Sequence, residues 1–183
     1  MRTLFLSAAA LLAAAPAFAG VTVIGSSAAR LCFEATESHM APAVDTLRRC
    51  DEALTQEALG KRDMVATLVN RGIVKLRLGR SEEAIADFDL ASSRDPNQAE
   101  AYLNKGLALL RSGDDWQRAL PLFDTALAKR TRKPALAYYG RAVANELGGN
   151  AKEAYRDYRA ASRIDPDWSA PRTQLARFKV VAQ

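Results

Sequence analysis

Small and apolar residues recur along this chain at intervals of three and four, the spacing of one face of an α-helix, and the stripes come in pairs. Leu68, Gly72, Leu76 and Leu78 mark one stripe. After the break at Gly79-Arg80-Ser81, Ala84, Ile85, Phe88 and Ala91 mark a second. Ser81 followed by Glu82-Glu83 is a helix start, because a small polar cap and early acidic residues satisfy the unpaired N–H groups of a first turn. The pattern predicts two antiparallel helices joined by a tight turn.

The pair is repeated. Asn70-Arg71-Gly72 returns as Asn104-Lys105-Gly106 and as Gly140-Arg141-Ala142, at steps of 34 and 36 residues. Ala84-x3-Phe88-x2-Ala91 returns as Ala119-x3-Phe123-x2-Ala126 and Ala154-x3-Tyr158-x2-Ala161, at steps of 35 and 35. Asp95-Pro96 recurs as Asp165-Pro166, where proline ends a helix and redirects the chain. A fixed period of this size marks a stack of hairpins, each burying its apolar face against the next. Gly72, Gly106 and Ala142 are expected to face Ala84, Ala119 and Ala154 so that paired helices approach closely. The aromatic at 88, 123 or 158 is expected to fill the space between neighbouring hairpins. Any such stack needs covered ends. Ala43-x3-Leu47-x2-Cys50 echoes the second-helix spacing weakly, so the segment before Val65 reads as a degenerate starting hairpin. A solitary last helix with Pro171 in its first turn, running to about Val181, carries Ala176 at the Gly106 position. It docks through Leu175 and Phe178.

These residues resemble the tetratricopeptide repeat family, whose pattern is matched by Leu68, Gly72, Ala84, Phe88, Ala91 and Pro96. The second copy supplies Tyr102, Gly106, Ala119, Phe123 and Ala126; the third supplies Tyr138, Ala142, Ala154, Tyr158, Ala161 and Pro166. The second copy departs from the pattern, with one extra residue before Ala119 and Thr131 where the terminal proline belongs. The resemblance implies an all-α, right-handed α-solenoid of stacked antiparallel helical hairpins. Its expected parts are a capping hairpin over 26–64, repeats over 65–98, 99–134 and 135–168, and a C-terminal capping helix over 169–183. The family's first helices line a concave face that commonly receives a peptide or a partner helix. Counted from the small residue of each copy, the inward row is Val69, Ile73 and Arg77, then Leu103, Leu107 and Arg111, then Tyr139, Val143 and Leu147, with Asn70 and Asn104 beside it. An apolar floor edged by two arginines suits a partly hydrophobic segment carrying a carboxylate. Such a floor is equally consistent with cover by the N-terminal arm or the last helix. Family members that clamp a C-terminal carboxylate use Lys and Asn in the first repeat and basic residues in the third. Val69, Ile73, Leu136 and Gly140 stand there instead, so that recognition is not expected.

Composition changes the picture at one end. Met1-Arg2-Thr3, the apolar run Leu4 to Ala15, Pro16 and Ala17-Phe18-Ala19 together have the form of a cleaved export signal over 1–19. The mature chain then starts at Gly20, with 20–25 an extended arm, and its destination is periplasmic, or secreted as the alternative. No other apolar run approaches the ~20 residues of a membrane span, so stable membrane insertion is not expected. The formal net charge of +5 is modest. The clusters Arg48-Arg49 and Arg130-Thr131-Arg132-Lys133 lack interleaved aromatics, and no nucleic-acid partner is expected. The two cysteines, Cys32 and Cys50, lie equidistant from a turn at His39-Met40-Ala41-Pro42, which places them opposite each other in an antiparallel hairpin. A structural disulfide follows, as opposed to a close-spaced redox pair.

Candidate chemistry adds little. His39 is the only histidine; it has no positioned partner, and there is no zinc-like Cys/His spacing or Gly-rich phosphate loop. Glu82-Glu83 and Asp114-Asp115 fall at helix starts, Trp116 and Trp168 at turns, and Asp87, Asp89 and Asp124 on the exposed faces of second helices. The expectation is a non-enzymatic scaffold without metal, cofactor or catalytic residues, binding a protein or peptide partner in the cell envelope. A self-associating structural or assembly module is the alternative, and the oligomeric state is left open.

Overall fold

A computed structural model describes Gly20 and residues 27–38, 41–113 and 115–178. The expected signal over 1–19, the arm after Gly20, His39, Asp114 and the end of the last helix at Val181 lie outside the described residues. Among the described residues the chain forms nine helices. They pair as α1 (Ser27–Ser38) with α2 (Ala43–Gln56), α3 (Lys61–Arg77) with α4 (Ser81–Arg94), α5 (Ala99–Gly113) with α6 (Trp116–Ala128), and α7 (Pro134–Leu147) with α8 (Ala151–Ile164). A lone α9 (Ser169–Leu175) follows. The first helices touch one another in order, α1 on α3, α3 on α5 and α5 on α7, whereas no comparable contact joins the second helices. Their splay bends the stack so that α1, α3, α5 and α7 line its concave side, as in a right-handed α-solenoid.

The turns show why each hairpin closes. Gly79 takes φ 76° and Gly149 φ 77°, the left-handed conformation that glycine adopts without steric penalty. The N–H of Arg80 reaches back to the Lys75 carbonyl and that of Asn150 to Asn145, satisfying carbonyls at the helix ends. The longer connection after α6 uses Arg130 in the same conformation, φ 58°. The Asp114-Asp115 pair resolves at its second member, where the Asp115 carboxylate accepts the Arg118 N–H and caps α6.

Two expectations need correction. The glycines do not simply face alanines: a Cβ at Gly72 would come 2.5 Å from the Phe88 ring. At Gly106 and Gly140 it would come 2.9 and 2.5 Å from the same Phe123 ring. Phe123 therefore sits between two first helices, its own hairpin's and the next one's. This explains why α7 carries Gly140 as well as Ala142. Gly140→Val is expected to destabilise the chain by about 1–3 kcal/mol through overpacking against this ring, read by thermal unfolding. Gly113→Ala, where a Cβ meets nothing within 4 Å, is expected to be neutral or slightly stabilising. The second correction concerns α9, which ends at Leu175 and not near Val181. There the N–H groups of Arg177 and Phe178 bond three residues back, tightening the chain into a turn. The turn lays Phe178 on Tyr155 and Tyr158, with ring centroids 5.7 and 6.0 Å apart. Leu175 and Phe178 do pack on the third repeat.

The boundary of the first repeat also moves. Its first helix starts at Lys61, behind Gly60, four residues before Val65. In the hairpin before it, Cys32 and Cys50 form a disulfide with Cα atoms 4.9 Å apart. Both cysteines are fully buried.

A charged seam crosses the convex layer, its cations at homologous positions. Arg71 pairs with Asp51 of the preceding hairpin at 3.0 Å and with Asp87 of its own at 2.6 Å. Arg141 repeats this with Asp124 at 2.6 Å and Asp157 at 2.7 Å. Lys105, the matching residue of the middle repeat, reaches only back, to Asp89. Asp87 was expected on an exposed face; it is 4% exposed, because α3 brings both Arg71 and Lys75 over it.

Candidate binding face

The inward row separates into a closed half and an open half. Val69 and Ile73 are fully buried and belong to the core around Phe88. Leu103 is fully buried against Phe123, and Tyr139 packs between Tyr158 and Trp168 at centroid distances of 5.4 and 4.8 Å. Asn70 and Asn104 are fully buried as well, and the Asn104 side-chain amide donates to the Glu100 carbonyl of its own helix at 2.9 Å. Leu107, Val143 and Leu147 are only partly covered, and Arg111 is exposed. These four come from the second and third repeats, where Leu107, Val143 and Leu147 pack on the edge of the core around Phe123.

The N-terminal side takes Arg77 out of the row. α1 packs on α3, and Arg77 donates from its guanidinium to the Thr36 carbonyl near the end of α1 at 2.6 Å. Burial lowers the Arg77 pKa from its ordinary value, while the charge of Glu37 opposes that shift. Arg77 and Arg111 therefore do not form a matched pair at the groove edge. Arg111 instead borders a shallow cleft at the hairpin turns with Arg80, Glu82, Glu83 and Ser112.

Gly20 completes the closed half. It is buried, and its carbonyl accepts a hydrogen bond from the Arg132 guanidinium at 2.8 Å. Arg132 comes from the connection between α6 and α7; its own backbone N–H donates to the Glu100 carboxylate at 2.9 Å. A Cβ on Gly20 would overlap Oε1 of Glu37 and come 3.4 Å from Oδ1 of Asn70. Sequence reasoning did not single out Glu37, Glu100 or Arg132. None sits at a repeat-pattern position, and Arg132 was visible only as part of a basic cluster.

At the far end the phenol of Tyr158 donates to Glu146 at 2.9 Å. Burial foremost, then the Glu146 charge, pushes its pKa well above the ordinary tyrosine value. An acid whose folded pKa is raised supports the fold fully below the unfolded value, and loses that support as pH climbs toward the folded one. Stability is therefore expected to fall above about pH 10, by about 1.4 kcal/mol per pH unit from this group. Tyr158→Phe is expected to flatten the slope, read by urea titrations at several alkaline pH values.

Among the described residues there is no cluster of three or more metal-type ligands, and no helix is long and apolar enough to cross a membrane. The profile of the tetratricopeptide repeat matches residues 69–115 and 113–167, more than half of the chain. No curated protein matches in sequence. Among solved structures, MamA (residues 41 to the end) from Desulfovibrio magneticus RS-1 is similar, with a TM-score of 0.65 at 22% identity, covering 82% of this chain and 82% of its own. A double mutant of MamA RS-1 gives a TM-score of 0.64 at 22% identity over the same shares. The first such repeat domain of human RPAP3 gives a TM-score of 0.59 at 23% identity, covering 64% of this chain and 91% of its own. At these identities the likeness is one of fold.

Proposed function

This chain belongs to the tetratricopeptide repeat family, and from that premise we propose that it is a non-enzymatic scaffold exported to the bacterial periplasm. There it holds a peptide or partner helix of another envelope protein on the inner face of its second and third repeats. The observation that carries this reading is the partly uncovered row Leu107, Val143 and Leu147 beside the exposed Arg111, next to a first repeat whose equivalent positions are sealed. An apolar row with one cation at its edge suits a hydrophobic segment bearing a carboxylate. Export is supported by the apolar run Leu4 to Ala15 followed by Ala17-Phe18-Ala19, and by a buried disulfide of the kind that persists in oxidising compartments.

Photo-crosslinking in intact cells tests the reading. A crosslinking residue at Arg111 or Val143 is expected to trap a discrete envelope protein. One at the exposed Leu90 of α4 is not. Leu107→Asp with Val143→Asp is expected to abolish the Arg111 adduct while leaving helicity unchanged. If the adducts persist in that double variant, or arise equally from Leu90, the inner face is not the binding surface. Adducts of the chain with itself would instead support the self-associating module.

A further inference from the structure

The closed half of the concave face has a polarity of its own. On one side of Gly20 lie two acceptor oxygens, Glu37 Oε1 and Asn70 Oδ1, close to where its side chain would start. On the other side a guanidinium donates to its carbonyl. Gly20 is also the residue that becomes the chain's first when the expected signal is cut after Ala19. From these we infer that the site between α1, α3 and the α6–α7 connection is a receptor for the free N-terminal ammonium of Gly20.

The geometry fits that ligand. A Cβ on Gly20 would come 3.0 Å from Cδ of Glu37. The backbone nitrogen is bonded to the same Cα and lies about 2.5 Å from that Cβ position, so it is within about 5.5 Å of the carboxyl carbon. That is ion-pair range for a carboxylate and an ammonium. An uncleaved amide there has one N–H and no charge, whereas an ammonium has three donors and a full positive charge. A side chain at this position would have to displace the Glu37 carboxylate, the mobile end of an exposed side chain. Capture of an N-terminal amine is a known mode of peptide recognition. The charged groups around the nitrogen come from each packed element. Glu37 of α1 attracts it and Arg77 of α3 opposes it. Arg132, before α7, has its charge offset by Glu100 of α5 at 3.8 Å. With the Arg132 charge so offset, a Glu37 carboxylate within about 5.5 Å of the nitrogen favours the ammonium form. Removal of the signal thereby converts a passive backbone contact into an ion pair that fastens α1 to the solenoid and closes the first-repeat end of the groove to other peptides.

The inference rests on the processing reading, and two separate measurements keep their failures apart. Mass spectrometry of the protein recovered from the cell envelope is expected to show a first residue of Gly20; any other start overturns the processing reading and the inference with it. Independently, the pH dependence of α-amine acetylation is measured on the full mature chain prepared to begin at Gly20. The amine is expected to titrate half a unit to one unit above the ordinary range of about 7.7–8.0, so that it labels about two- to eightfold more slowly than a free peptide amine near pH 7.5. Glu37→Gln is expected to restore ordinary labelling, and Glu37→Asp to give an intermediate rate. Glu37 is exposed on α1, so its variants keep the fold, which circular dichroism confirms. Ordinary labelling in the unsubstituted chain overturns the inference, as does slow labelling that survives Glu37→Gln.

Discussion

Asp87→Ala is expected to lower the unfolding free energy by about 3–5 kcal/mol. The carboxylate is 4% exposed and accepts from Arg71 at 2.9 and 2.6 Å, while Lys75 stands 2.7 Å away. Deleting it leaves two cations packed on α3 without their shared anion, and Lys75 is itself buried. The outer partner, Asp51, is half exposed and offsets little, since an exposed pair contributes about 0–1 kcal/mol. Urea unfolding followed by circular dichroism reads the change. A loss below about 1 kcal/mol would show that water replaces the carboxylate at no great penalty.

The chain itself contains the control. At the positions of Arg71, Lys75 and Asp87, the middle repeat carries Lys105, Leu109 and Leu122. Lys105 turns outward to Asp89, and the two leucines join the core around Phe123. One repeat thus solves with apolar packing what its neighbour solves with a buried charge cluster. Replacing a whole buried ionic group by apolar residues of similar volume is often neutral or better. Arg71→Lys, Lys75→Leu and Asp87→Leu together are therefore expected to recover most of the stability that Asp87→Ala alone loses. Such recovery would locate the loss in the orphaned cations and not in the missing carboxylate.

That comparison shows what the sequence made legible. Gly72, Ala84, Phe88 and Ala91 and their copies follow a period because each makes the same contact in each hairpin, so the period announces the stack. The disulfide was legible for a related reason: two cysteines at equal distances from a turn have few places to go. Asp87 was misread because an acidic residue on a second helix looks solvent-facing until Arg71 and Lys75, from another helix sixteen and twelve residues away, are laid over it. The binding face was half legible. Repeat geometry supplied the inward row, but Val69 and Ile73 are taken up by the core around Phe88, and Arg77 is held by Thr36 of α1, a residue outside the repeat pattern. Gly20 met Arg132 across 112 positions of sequence, a distance at which no local spacing rule speaks.

Removing the disulfide, as Cys32→Ser with Cys50→Ser, is expected to destabilise the capping hairpin by about 3 kcal/mol, from the lost restraint on a loop of this length. The cysteines are 18 residues apart and fully buried. The hairpin they join has little else: its own buried apolar residues are Ala29, Ala35, Leu47, Ala53 and the cysteines themselves, packed on Ala66 and Val74 of α3. In a solenoid each unit leans only on its neighbours, so a weakened end frays before the middle does. Hydrogen exchange is therefore expected to rise across α1 and α2, rise less in α3, and stay unchanged in α5 to α8. Uniform acceleration through all the repeats would mean that the stack unfolds as one unit and that the bridge stabilises every hairpin alike. Because Thr36 and Glu37 follow Cys32 on the same helix, the loss also reaches the concave face. With α1 loosened, the Arg77 guanidinium loses its carbonyl partner and Gly20 its carboxylate neighbour. The sealed first-repeat half of the groove then becomes accessible. Under reducing conditions the unsubstituted chain is expected to show the same local exchange pattern, which ties the state of the inner face to the redox poise of the compartment that holds it.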